Sequence, residues 1–308
     1  MTKHRITKHP IIKIPDRTEV TFTWNGEQMT GYEGEMISSA LIANGFHIFG
    51  HHHKDNSPQG IFCANGQCSQ CMVMADGLAV KSCMTPLKAK MTVESVEGLP
   101  EIPKDNRIPQ TNAIPVKEVD VLIIGGGPAG LSAAIELGKL SVNTLVVDDK
   151  DRLGGKLVLQ THKFFGSVKD SHAGTRGFEI GKILQEELSA LGTVDVWLNT
   201  TAVAVFSDNI VGVEKNNQYQ KIKPKKLLVA TGAREKMLSF PGNTLPGVYG
   251  AGAFQTLVNR DLVKSSEKVL IVGGGNVGQQ FVAEGQPRQH CIKTVSYTHL
   301  TLPTILLV

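Results

Sequence analysis

Val121-Leu-Ile-Ile-Gly125-Gly126-Gly127-Pro128-Ala129-Gly130-Leu131-Ser-Ala-Ala-Ile-Glu-Leu137 is an apolar run that breaks into glycines and resumes as a helix former. Four branched residues read as a buried strand, and the glycines after them form the G-x-G-x-x-G pattern. Gly125 allows the tight turn, Gly127 lets backbone approach a pyrophosphate, and Gly130 lets the next helix pack closely. Leu131 then opens a helix whose N-terminus offers free amides to the phosphates, and Pro128 and Ala129 in the loop before it are candidate cofactor contacts. Asp148 ends the next strand, Thr144–Val147, where a carboxylate binds ribose hydroxyls. Strand, glycine loop, helix, strand and acid together define a βαβ dinucleotide-binding unit, which the glycine pattern alone would not.

The pattern recurs at Val269-Leu-Ile-Val-Gly273-Gly274-Gly275-Asn276-Val277-Gly278. Gly125 and Gly273 lie 148 positions apart (273 minus 125), too far for one mononucleotide unit. That spacing suits one nucleotide-binding domain with a second inserted into it. The acid or arginine that separates NAD from NADP falls roughly 20 residues on, inside a C-terminal stretch of doubtful origin. A second loop can also be kept for folding after its nicotinamide site is lost, so functional NAD(P) binding stays open.

Four of the five cysteines fall between positions 63 and 83: Cys63, Cys68, Cys71 and Cys83, spaced C-x4-C-x2-C-x11-C. C-x4-C-x2-C followed by a remote fourth thiolate is the plant-type [2Fe–2S] spacing. Gly66 supplies the backbone freedom for a loop that curls around the sulfides, with amides aimed at sulfur. A four-cysteine zinc site usually pairs two C-x2-C knuckles, and here there is one; zinc and inert thiols remain the alternatives. Disulfides are disfavoured because nothing marks the chain as secreted. His51, His52 and His53 precede the loop; with all four cysteines present, they read as a surface turn rather than Rieske ligands. Cys291 is assigned nothing.

The 308 residues are 41% hydrophobic and 19% charged, with a net charge of +4, an ordinary globular composition. The charge is spread, without a basic-aromatic patch, so nucleic acid is not an expected partner. Lys221, Lys223, Lys225 and Lys226, the densest cluster, are expected to flank a strand. No apolar run reaches the ~18–20 residues that cross a bilayer. The basic start has no apolar stretch behind it, so no secretory signal is expected and the cytoplasm is the expected location.

Glu19–Trp24 alternates like a half-buried strand, Asn25-Gly26 gives a tight hairpin turn, and Met36–Asn44 suits a short helix closed by Gly45. The expected organisation is an α+β iron–sulfur domain over 1–99 and a proline-rich linker over 100–117. An α/β dinucleotide-binding domain over 118–262 and the start of a second dinucleotide-binding domain over 263–290 complete it. Val295–Thr304 reads as the forward translation of a transposase sequencing adapter, with a natural β-strand as the bland alternative. Residues 291–308 are therefore expected to be a non-native tail on a C-terminally truncated chain.

Two further stretches, Gly154-Gly155-Lys156 and Leu227-Leu-Val-Ala230-Thr231-Gly232-Ala233, resemble motifs of the two-dinucleotide-binding flavoproteins and imply FAD at the first loop. The latter is expected as a buried strand ending at small residues. The whole order is similar to the flavin-containing subunits of sarcosine, proline, hydroxyproline and opine dehydrogenases and of hydrogen cyanide synthase. In those proteins a β-grasp ferredoxin-like [2Fe–2S] module accompanies a pyridine-nucleotide-disulfide-reductase-like flavoprotein. Phe240–Tyr249 resembles their crossover between domains. The resemblance covers about residues 10–280 and departs after Gly278. No cysteine pair follows Gly155, so a dithiol relay is excluded.

The resemblance implies a flavin-dependent oxidoreductase in which electrons pass between FAD and the cluster, with Lys156 a candidate near the flavin. Either a partner dehydrogenase subunit oxidises an amine or imino acid, or NAD(P)H reduces the flavin directly and a soluble acceptor takes the electrons. A zinc-binding scaffold is the non-enzymatic alternative.

Overall fold

The computed structural model of the protein describes residues 4–100, 104, 113–216, 218–273 and 291–295. The chain divides into two compact units, Met1–Asp105 with Glu235–Val308, and Asn106–Arg234.

In the first unit, β1 (Glu19–Trp24) buries Val20, Phe22 and Trp24 on one face. Asn25 and Gly26 both take positive φ, 49° and 84°, and turn the chain into antiparallel β2 (Glu27–Tyr32). Helix α1 (Ile37–Ala43) is buried throughout. The Asn44 side chain donates to Ala40 O and Thr30 O at 2.8 Å, and Gly45, at φ 93°, ends it. Short strands β3 (Gly50–His51) and β4 (Pro58–Gln59) precede the cysteine loop; β5 (Met72–Ala75), β6 (Leu78–Lys81) and β7 (Thr92–Glu97) come after it. β7 is the hub, parallel to β1 and β3 and antiparallel to β5. A hairpin, a helix beneath it and a late strand returning parallel to the first make the β-grasp arrangement expected from the sequence.

The second unit is a six-stranded sheet in the order β10-β9-β8-β13-β12-β11. Its elements are β8 (Val116–Ile124), α2 (Pro128–Lys139), β9 (Thr144–Val147), a 3-10 turn at Gly155–Leu159, α3 (Val168–Ser171) and α4 (Gly177–Ser189). Strands β10 (Val194–Trp197), β11 (Thr200–Val205), β12 (Val211–Lys215) and β13 (Gln218–Val229) complete it. The first four strands in spatial order are parallel and the last two antiparallel. β9 is wholly buried, as expected of a parallel strand covered on both faces. α2 buries Leu131, Ala134, Ile135 and Gly138 at helical spacing, and α4 buries Ile180, Leu184 and Leu188. Gly138 is closely packed: a Cβ there would lie 2.7 Å from the end of the Leu191 side chain, which would have to shift.

Two expectations are corrected by this sheet. The lysine cluster lies inside β13 rather than flanking it, because β13 runs on past its pairing with β12 to lie along β8. Lys225 there meets Asp120 at 2.6 Å and Lys223 meets Glu118 at 3.9 Å. The end of β13 is also less buried than expected, with Leu228 39% and Val229 63% exposed.

Residues 235–273 pack within the first unit. Helix α5 (Ala251–Gln255) and a π turn over Thr256–Arg260 place Ala253, Leu257 and Val263 in the core beneath the β-grasp sheet. The N-terminal arm pairs with this segment: Ile6 N donates to Leu262 O at 2.9 Å and Lys264 N to His4 O at 2.7 Å. Strand β14 (Lys268–Val272) pairs in parallel with β15 (Cys291–Val295), a stretch expected in the tail. The rest of that tail, 296–308, lies outside the described residues.

Candidate functional site

The hairpin of β5 and β6 brings the cysteines together. Cys71 immediately precedes β5 and Cys83 closely follows β6. Ser82, fully buried, ties the two ends by donating from N and from Oγ to Cys71 O, at 3.0 and 2.7 Å. The preceding loop turns through positive φ at Ala64 (51°) and Gly66 (81°). The four sulfurs act on one another in series, Cys68 on Cys63, and Cys83 on both Cys63 and Cys71. Bonds from Cys68 and then Cys83 hold the Cys63 thiol low; the bond from Cys83 brings Cys71 down to about 7. Cys63 pushes Cys68 up, and Cys63 with Cys71 pushes Cys83 up.

Backbone amides also reach the sulfurs. Cys68 N donates to Cys63 Sγ at 3.4 Å, and the Asn65 amide reaches Cys63, the Gln70 amide Cys68 and the Cys83 amide Cys71. Amides aimed at thiolates stabilise negative charge on sulfur. Among the described residues, no three His, Cys, Asp or Glu side chains are arranged to hold a single metal ion. Four thiols gathered by one loop and the hairpin behind it fit a binuclear cluster, in which each of two irons takes two of the thiolates.

The glycine loop is built by close approach. Gly125 sits at φ 110°, and a Cβ there would lie 2.3 Å from Ala230 O. Ala230 N donates to Ile124 O at 2.8 Å, so the end of β13 lies against the loop. A Cβ on Gly130 would lie 1.9 Å from Gly125 O. Gly155, at φ 52°, presses on Gly127, and Gly154 N donates to Gly126 O at 2.8 Å. Proline opens α2, with no side-chain cap and no acid in its first turn. Crowded backbone and an uncapped helix start together fit the phosphates of a dinucleotide.

Asp148, only 9% exposed, braces this loop: Oδ2 accepts from Gly126 N at 2.6 Å and Oδ1 from Lys150 N at 2.9 Å. Sequence reasoning gave it a ligand-facing role alone and missed Gly126 as its partner. The spacing between an acid and a glycine cannot reveal which amide the acid meets.

The structure thus gathers Gly125, Gly127, Pro128, Gly130, Asp148, Gly155, Ala230 and Thr231, with Pro128 and Thr231 exposed to solvent, as are Ala129, Lys156 and Gly232. Gly273, at φ 108°, repeats the backbone turn of Gly125; Gly275 and Gly278 lie outside the described residues. Of the histidine triplet, His51 ends β3 and His52 and His53 follow it into a polar turn. His51 Nδ1 pairs with Glu97 at 2.7 Å and His52 Nδ1 with Asp55 at 2.9 Å.

A cleft of about 420 Å³ beside the start of α2 is lined by Pro128, Ala129, Ser132, Phe165, Asp170 and His172, among others. A larger groove in the first unit, about 870 Å³, runs along β14 past Phe240, Tyr249 and Phe254. Burial there pushes the Tyr249 phenol up to about 12. Glu235, on the groove wall, is engaged with the Ala251 and Gly252 amides at the start of α5.

These two sites, one built for sulfur-bound iron and one for a dinucleotide, define a flavin-dependent oxidoreductase with an iron–sulfur domain. The chain belongs to the pyridine nucleotide-disulphide oxidoreductase family, whose model matches residues 119–287. A 2Fe-2S iron-sulfur cluster binding domain matches residues 17–98.

Sarcosine oxidase subunit alpha of Rhizobium meliloti (strain 1021) is 25% identical over 92% of this chain and 34% of its own length. Hydrogen cyanide synthase subunit HcnB of Pseudomonas protegens is 33% identical over 50% of this chain and 33% of its own length. The chain therefore spans about a third of the length of these relatives. The crystal structure of L-proline dehydrogenase from P. horikoshii superposes with a TM-score of 0.76 at 22% identity. It covers 96% of this chain and 56% of the other, which establishes the shared fold. Among the described residues, no helix is long and apolar enough to cross a membrane.

Proposed function

We propose that this chain is the electron-transferring part of a cytoplasmic amine or imino-acid dehydrogenase, working beside a partner subunit that oxidises a small-molecule substrate. Residues 1–99 form the iron–sulfur domain, 118–262 the FAD-binding domain and 263–290 the start of the NAD(P)-binding domain. When bound, FAD supplies two-electron chemistry and the [2Fe–2S] cluster one-electron chemistry. The protein's own part is to hold and insulate them. Cys63, Cys68, Cys71 and Cys83 ligate iron, with the amides of Asn65, Cys68 and Gln70 supporting the sulfurs. Gly125, Gly127 and Gly130 admit the dinucleotide backbone, and the start of α2 receives its phosphates. Asp148 holds the loop in shape, and Gly155, Lys156, Ala230, Thr231 and Gly232 border the cofactor. That relatives are named as subunits supports a partner chain.

The observation that carries this reading is the string of four thiols met by backbone amides. It is tested by an anaerobic visible spectrum of the full chain with assays of iron and acid-labile sulfide. Equal iron and sulfide with visible charge-transfer bands are expected, and both should be lost in Cys71→Ser and Cys83→Ser. A colourless protein holding one zinc sinks the reading.

The matching φ of Gly125 and Gly273, 110° and 108°, favours a second reading, in which NAD(P)H is the electron donor. Rapid anaerobic bleaching by NADH or NADPH alone would select it over the amine route.

A further inference from the structure

We propose that Lys81 sets the reduction potential of the iron–sulfur site, acting as a fixed cation against the cysteine loop. This rests on the reading that Cys63, Cys68, Cys71 and Cys83 hold the cluster.

Residues 56–75, which include the loop and three of its four cysteines, contain no Asp, Glu, Lys, Arg or His. Lys81 brings a charge in from outside: its Nζ donates to Gly66 O at 2.7 Å, in the stretch between Cys63 and Cys68. The lysine is well anchored. It closes β6 opposite Met72, the residue after Cys71, and its own carbonyl accepts from Met84 N at 2.9 Å and Thr85 Oγ1 at 3.0 Å. The Met84 side chain crowds Gly66, where a Cβ would lie 2.9 Å from Met84 Cγ, so the loop is held by an ion on one contact and packing on another. Lys81 is half-buried, so solvent screens it only in part.

A cluster on four thiolates gains one further negative charge when reduced. A cation beside it therefore favours the reduced form and raises the potential. Lysine suits this role because its ammonium is a compact point charge. Lys81 is a positioning residue: it acts through field and loop geometry and touches no substrate.

The test uses the full chain as wild type, Lys81→Arg, Lys81→Gln and Lys81→Met. Each is assayed for iron and sulfide and then titrated anaerobically, with the reduced cluster followed by EPR. Lys81→Gln keeps a donor for Gly66 O and removes the charge. It is expected to retain the cluster while its reduction becomes about fivefold to tenfold less favourable, the upper figure being about 59 mV for a one-electron couple. Lys81→Arg is expected to match wild type, and Lys81→Met to shift like Lys81→Gln while losing iron faster to a chelator. A fully loaded Lys81→Gln protein with the wild-type potential overturns the proposal and leaves Lys81 a strut for the loop. Loss of the cluster in Lys81→Gln with retention in Lys81→Arg overturns it equally, assigning the residue to assembly. A wild-type chain without iron and sulfide removes the reading beneath it, and this inference with it.

Discussion

Glycine at position 130 is required by space rather than by turn geometry. The Gly125 carbonyl oxygen lies 1.9 Å from where its Cβ would be, and that oxygen belongs to backbone that cannot rotate away. Gly130→Ala must move α2 off β8, at about 1–3 kcal/mol, and is expected to weaken flavin retention together with stability. Gly192→Ala is the control: nothing lies within 4 Å of its Cβ, and its midpoint in urea should stay near wild type. Equal effects from the two substitutions would rule out the crowding argument. The turn at Gly125 and the close packing at Gly130 were legible in the sequence because each needs only a missing side chain. Asp148 was half legible. Its place at the strand end was clear, but its grip on Gly126 and Lys150 depends on how the loop folds back.

Among the elements, the N-terminal arm is held by one buried acid. Glu35 accepts from both terminal nitrogens of Arg5, the longer contact at 2.6 Å, and from Tyr32 N at 2.7 Å; Arg5 also stacks on the Tyr32 ring at 4.5 Å. The side chains of Arg5 and Glu35 are only 9% and 5% exposed, and Arg17 stands 3.9 Å from the same carboxylate, so losing Glu35 strands both guanidinium groups. Glu35→Ala is expected to cost about 3–5 kcal/mol in chemical denaturation. Arg5→Met with Glu35→Leu should recover much of that loss, whereas no recovery would argue that the pair matters for shape rather than charge. None of this was readable from the sequence, since an Arg and a Glu thirty positions apart carry no periodic signal. The Asn25-Gly26 turn and the β9 strand were readable, because each depends on its own few residues.

The β13 strand shows the limit between these cases. Pro224, which has no N–H to give, sits within it but beyond the reach of β12, facing Val119 of β8, and its carbonyl takes the Asn209 side chain at 2.7 Å. A proline in a long strand reads as a break until the neighbour's length is known.

At the scale of the whole molecule, acid should loosen the first unit before the carboxylates titrate. Burial, and then the neighbouring His4, lower the His47 pKa from 6.5. The two rings meet edge-on at 6.2 Å, and His4 Nδ1 is buried without a partner. The folded form therefore binds this proton less readily than the unfolded chain does. The contribution is complete above about pH 6.5 and is lost as pH falls below it. Melting temperature should drop between pH 7.5 and 5.5, and His47→Gln should flatten that slope. An unchanged slope in the variant would place the acid sensitivity elsewhere.

The two cofactor chemistries were written in the chain itself, because glycine spacing and cysteine spacing act over a few residues of backbone. So were the β-grasp order and the first βαβ unit, each carried by local periodicity and turns. Folding in three dimensions was needed to pair the N-terminal arm with Leu262–Lys264, to insert β13 between β8 and β12, and to close Lys81 on the Gly66 carbonyl. Those contacts join residues distant in the chain, and packing selects among them by shape and burial, which no short pattern records.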